Sequence, residues 1–398
     1  MVSSAKPREV SKVGSGPVLR TAPPGDLDRF ALPYRQGVRN LTLRSRPAAD
    51  LIRTFPALLF ALSSGYGSAA TRERALRLIE NGDPLRSAAD MLALPWWLRK
   101  LPAEAFTAPL ESVPDGPEFA RRIVNHLPAE SWKSAAWLTR VLTAHALAGE
   151  EVALWVAWRT KSAPRMRDVN RLVLLCAWAW YSGQPGTLGH KLLRVPFEPS
   201  LGLRKAMEEA DLWKKRIELA VALGDGIKDT WFGSGAVREH TFVPLVCLDD
   251  FLAEAKAMDN CLDQFGPEIC RRTSRIFSVR KNDVPVANLE IAPHDDGPTM
   301  PAVEQLRGPG NRQASPEVWQ ATYTWLGQQS PRPLTPSRTS TGSARAVARQ
   351  IWSPYWRSLA DASSRLRLRE YLRSGDVLDP EIGEEGDLSG RLHRSTRM

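Results

Sequence analysis

The spacing of apolar residues changes character once along this chain, from a helical period to an alternating one. Between residues 26 and 225 the helical period dominates. Leu51, Ile52, Phe55, Leu58, Leu59 and Leu62 recur three and four apart, which predicts a helix over 48–62 with one buried face. Residues 71–81 repeat the pattern with Ala75, Leu78 and Ile79, and they end before Gly82, a residue type suited to a left-handed helix stop. Further helices are predicted over 118–126, 135–148, 152–158, 167–182 and 201–223. Trp132, Trp137, Trp155, Trp158, Trp178, Trp180 and Trp213 run through them, as expected of short helices packed in layers, although no fixed repeat period is present. Adjacent Trp96 and Trp97, between Pro95 and Pro102, predict a corner locked by aromatic burial; the functional alternative is a stacking platform for bases.

A polar, glycine-containing join over 224–240 leads into a different pattern. Residues 241–246 are extended and apolar, and Asp249 or Asp250 then caps a helix running to about Phe265. On that helix Glu254, Met258, Cys261 and Phe265 share a face. Strands follow at 275–280 and 284–291 around a polar turn at Lys281, Asn282 and Asp283, and a third spans 302–307. Because side chains alternate across a strand, Ser278 with Arg280, Asn288 with Glu290, and Gln305 with Arg307 form same-face pairs. Neighbouring strands in matching register would merge these pairs into one polar face, leaving Phe277, Val279, Leu289, Ile291 and Leu306 for the opposite, packed face. Gly308, Pro309, Gly310 and Asn311 turn the chain into a helix capped by Ser315, with Pro316 at its first position.

Together these patterns predict an α+β protein, a mostly α-helical N-terminal region followed by a small domain with a three-stranded or larger antiparallel sheet packed on helices. The expected organisation is a disordered basic arm over 1–25, a helical region over 26–225, an α+β domain over 241–328, a linker over 329–343, C-terminal helices over 344–375 and a disordered tail over 376–398. Composition agrees with this division. The 398 residues, 43% of them hydrophobic, suffice for two or three compact units with proper cores. The formal charge of +10 permits contact with nucleic acid or an anionic surface without demanding it. Cys176, Cys247, Cys261 and Cys270 lack a zinc spacing, and no secretory leader is evident, so reduced thiols in the cytoplasm are expected. No apolar run approaches the roughly 18 residues that cross a bilayer. His126, His145 and His190 stand far apart with no carboxylate at ligand spacing, so no metal site is predicted.

The chemistry concentrates between Glu254 and Asn311. Glu254, Ala255, Met258, Cys261 and Phe265 are followed by Arg280, by Asn288 with Glu290, and by Gln305, Gly308 and Asn311. This series resembles the PcfJ-like family of conjugative plasmids, phages and bacterial genomes, with Asn260 and Phe265 standing where the family has His and Tyr. The resemblance covers roughly a fifth of the chain, its most specific part being the run from Gln305 to Asn311. It implies an accessory protein associated with nucleic acid of a plasmid or other mobile element, with protein partners from that system.

Three chemical readings follow from the residues. Cys261 is a candidate nucleophile beside Glu254, with Gln305 or Asn311 stabilising developing negative charge. Alternatively, Glu254 and Glu290 are candidates for acid–base work or for a Mg²⁺ on a phosphodiester, with Arg280 and Arg307 neutralising phosphate, as in a hydrolase or nuclease. Thirdly, Arg280, Arg307, Arg312 and the amides from Gly308 to Gly310 would meet phosphate while Gln305 and Asn311 read polar edges. The third reading needs no cofactor and no proton-transfer group.

Overall fold

The structure is a computed structural model, and its described residues are 24–161, 169–266, 274–294, 297–334 and 341–374. The expected tail at 376–398, nearly all of the expected basic arm, Cys270, Asp295 and Asp296 lie outside them. The fold is α+β, with helices dominating the N-terminal region and a five-stranded antiparallel sheet following. Its contacts divide the chain into two compact units, one of residues 1–145 with 153–163, the other of 146–152 with 164–398. The helices from Val169 to Leu223 therefore belong with the sheet.

In the first unit the helix expected over 48–62 is two helices, Arg46–Thr54 and Pro56–Ser64. Pro56 explains the break. It lacks an N–H, and its ring drives Phe55 out of the helical region to φ −156°, ψ 72°. Every residue from Pro56 to Leu62 is buried, and Phe60 packs against Tyr34 and Phe106 with centroids 4.8 and 5.4 Å apart. The Trp96–Trp97 corner is a 3-10 turn over Trp96–Lys100. Trp97 is buried and donates from Nε1 to the Pro114 carbonyl at 3.0 Å, whereas half-buried Trp96 lies beneath Arg86 and Arg99.

In the second unit helices Val169–Ser182, Leu203–Leu223, Thr341–Ser358 and Ala362–Ser374 enclose an aromatic core. Within it Tyr181 meets Trp213 at 5.4 Å and Trp213 meets Trp352 at 5.7 Å, while the Tyr181 hydroxyl donates to the Ile351 carbonyl. Among the described residues no helix is long and apolar enough to cross a membrane.

The sheet runs in the order β1 (Gly235–Val237), β2 (His240–Pro244), β3 (Arg275–Lys281), β4 (Val284–His294) and β5 (Gly297–Arg307), every pair antiparallel. The β3–β4 turn uses Asn282 and Asp283 at φ 52° and 62°, the left-handed pair that matches strand twist. One face carries Phe242, Phe277, Val279, Ala287, Leu289, Ile291 and Leu306, all buried beneath helix Pro316–Gly327. Trp325 of that helix stacks on Phe242 at 4.6 Å with rings 4° from parallel. Truncating a buried aromatic of this kind costs about 3–5 kcal/mol.

Candidate functional site

Strand register places the polar residues opposite one another. Ser278 pairs with Asn288 and Asn288 with Arg307, giving one row across β3, β4 and β5. Ile276 pairs with Glu290 and Glu290 with Gln305, giving the next. Directly opposed residues point to the same face, so these rows are the polar face expected from the alternation. A bulge between Val279 and Arg280 shifts Arg280 out of register, yet it stays on this face, its Nε donating to Ser278 Oγ at 3.1 Å.

Helix Leu248–Met258 crosses this face. The Asp250 carboxylate caps it by accepting from the Val246 and Cys247 amides, each at 3.0 Å. The helix ends earlier than its apolar pattern predicts. Asp259 adopts a left-handed conformation, φ 48°, ψ 51°, and the Asn260 amide returns to the Ala255 carbonyl at 3.2 Å. Cys261 and Phe265 are therefore not on the helix with Glu254. They flank a 3-10 turn, Leu262–Gln264, held to helix Leu203–Leu223 by Arg216 paired with buried Asp263 at 2.7 Å. Leu262 joins Leu219, Leu223 and Ile276 in a small apolar cluster, which outweighs continuation of the helix.

Between this turn and the strands lies a pocket of about 120 Å³. It is lined by Asn260, Cys261, Leu262, Phe265, Ile276, Asn288, Glu290, Gln305, Arg307 and Asn311. Five of the eight residues singled out from sequence meet on its wall: Cys261, Glu290, Gln305, Arg307 and Asn311. The other three do not. Glu254, 3% exposed, lies behind the wall, where one carboxylate oxygen accepts from Asn288 Nδ2 at 2.7 Å and the other lies 3.9 Å from Arg280. Arg280 is thereby directed to Glu254 and Ser278. The Gly308 amide, expected to face phosphate, donates instead to the Arg312 carbonyl at 2.8 Å, and Gly310 and Asn311 at φ 64° and 59° complete that tight loop.

Asn260 and Asn288 organise the site, and neither was assigned a catalytic or binding role from sequence. Asn288 Oδ1 accepts from Asn260 Nδ2 at 2.6 Å, and Asn260 Oδ1 accepts from the Leu262 amide at 3.1 Å. Donors thus run in one direction, from the Leu262 amide through two carboxamides to the Glu254 carboxylate. This satisfies a buried charge by hydrogen bonds, the condition under which burying one is tolerable. The signal for Asn288 was its i,i+2 relation to Glu290. Asn260 was marked only as a departure from the PcfJ-like pattern, and its role depends on a partner 28 residues away. Glu290, 8% exposed, accepts from the Ser274 hydroxyl at 2.7 Å, and exposed Cys261 receives Asn311 Nδ2 at 3.6 Å from sulfur.

A two-carboxylate metal site does not fit this donor set. Glu290 is the one carboxylate on the pocket wall, Glu254 is engaged by Asn288 and Arg280, and no group of three His, Cys, Asp or Glu among the described residues could hold an ion. By fold and site, the chain is an α+β protein with a carboxamide-rich pocket on the polar face of its sheet. No family model, curated protein or solved structure matches it.

Proposed function

We propose that this is a nucleic-acid-associated accessory protein whose pocket receives one unpaired base. The observation that carries the reading is the make-up of the wall. Its lining divides into apolar groups, Leu262, Phe265 and Ile276, and hydrogen-bonding ones, Glu290, Gln305 and Asn311, with Arg307 among them. A planar heterocycle has that same division between flat faces and a hydrogen-bonding edge. Exposed Arg307 and Arg312 supply charge for the adjoining phosphates. The setting implied by the PcfJ-like resemblance, cytoplasmic and around the DNA of a plasmid or other mobile element with that system's protein partners, belongs to the same proposal.

The test is binding of mixed-sequence single-stranded and duplex oligonucleotides across a salt series. Single strands should bind more tightly, Arg307→Ala should lower the salt slope by about one, and Glu290→Gln should weaken binding without changing the slope. Absence of binding at low salt, or a Glu290→Gln variant matching the parent, would overturn the reading.

One observation favours a second reading, cysteine-dependent hydrolysis. The Cys261 thiol and the Glu290 carboxylate line the same pocket, with the Asn311 amide directed at the sulfur. Here Cys261 attacks an acyl carbon while Glu290 takes the thiol proton and Gln305 or Asn311 donates to the oxyanion; collapse expels the alcohol or amine, which leaves with that proton, and water then hydrolyses the thioester to free the acid and the thiol. Incubation with ester and amide substrates should then give a covalent adduct on Cys261, visible by mass spectrometry and absent from Cys261→Ala. Turnover that survives that change would exclude the thiol.

A further inference from the structure

We infer a second nucleic-acid contact, remote in sequence from the pocket residues, on the C-terminal helix pair Thr341–Ser358 and Ala362–Ser374; it rests on the proposed association with nucleic acid. Residues 341–374 contain seven arginines, no lysine, and two carboxylates, Asp361 and Glu370. Asp361 is occupied as a helix cap, accepting from the Ser364 amide and hydroxyl, each at 2.7 Å. Arg365, Arg369 and Arg373 are four residues apart, so they rise along one side of the second helix, and Arg345 and Arg349 are spaced likewise on the first. The guanidiniums of Arg365 and Arg369 lie over Trp356, 6.0 and 5.4 Å from its ring centroid. That half-buried indole belongs to the first helix and so joins it to two of the second helix's arginines.

The chemistry favours a phosphodiester backbone over the other anionic partners. Guanidinium presents a planar fork that matches phosphate oxygens in pairs, and its use here without a single lysine suits that geometry. A bilayer would require an apolar face as well. The large apolar residues of these helices are turned inward instead: Ile351, Trp352, Tyr355, Leu359, Leu368, Tyr371 and Leu372 are buried, and Leu366 is the exposed large apolar residue of the pair. The surface therefore supplies charge without an insertion wedge, and it binds nucleic acid irrespective of sequence.

The test uses the full chain with a mixed-sequence duplex and the corresponding single strand. Arg365→Gln with Arg369→Gln and Arg373→Gln should lower the magnitude of the log K against log salt slope by about two to three for the duplex. An Arg345→Gln, Arg349→Gln variant, which leaves the second helix intact, should lower it by about one to two. The corresponding lysine variants should recover most of the slope. Slopes equal to the parent's in both glutamine variants, or tighter binding to phosphatidylserine vesicles than to either nucleic acid, would overturn the inference. Failure of the pocket reading looks different: Glu290→Gln would be without effect while the arginine-dependent slope persisted.

Discussion

Asn288 is the residue through which the polar face is held together, and its removal has a calculable cost. In Asn288→Ala the Glu254 carboxylate, 3% exposed in the parent, loses a donor at 2.7 Å. A hydrogen bond to a charged group contributes about 1.5–3 kcal/mol, and the neutral bond from Asn260 adds about 0.5–1.5 kcal/mol. Arg280 at 3.9 Å compensates weakly, since its side chain is about a third exposed. The expected loss is thus about 2–4 kcal/mol. The assay is urea titration with hydrogen exchange read on peptides from β3 and β4, which isolates the second unit from the first. A double-mutant cycle with Glu254→Ala should give a coupling of about 1–3 kcal/mol. A single-variant loss below about 0.5 kcal/mol, or a coupling that small, would refute the assignment of Asn288 as the organising residue.

Two other predictions address the scaffold. Burial alone would raise the Glu209 carboxyl pKa, but the hydrogen bonds and charges of Arg194 and Lys205 outweigh it and hold the pKa below the ordinary range. Its contribution to stability is therefore complete above the pKa of the unfolded chain and is lost as pH falls through the folded one. Thermal melts of the parent and Glu209→Gln should differ most near neutral pH and converge in acid; a gap constant with pH would contradict this. In Gly235→Ala the new methyl would fall well inside contact distance of Trp325 Nε1 and Cδ1, on a ring already locked against Phe242. A loss of about 1–3 kcal/mol with altered near-ultraviolet dichroism is expected, and an unchanged melting temperature would count against it.

The α+β class, the three strands from Arg275 to Arg307 and both faces of their sheet were legible in the sequence. The reason is that a period of two forces alternate residues to opposite sides whatever surrounds them. Ser278 with Arg280, Asn288 with Glu290, and Gln305 with Arg307 therefore share a face within each strand before any contact is known, and strand register then merges the three pairs. Where the helix after Asp250 ends was not legible, because Cys261 and Phe265 continue its apolar spacing. What stops it is Asp263 meeting Arg216 and Leu262 meeting Leu219, contacts with a helix some 40 residues earlier. The same distinction separates Glu254 from the pocket. Its residue type suggests an acid facing a ligand, but its neighbours Asn288 and Arg280 turn it into a buried anchor. Local periodicity determined which groups could share a surface. Only long-range packing decided which of them reach the pocket and which are consumed holding it in place.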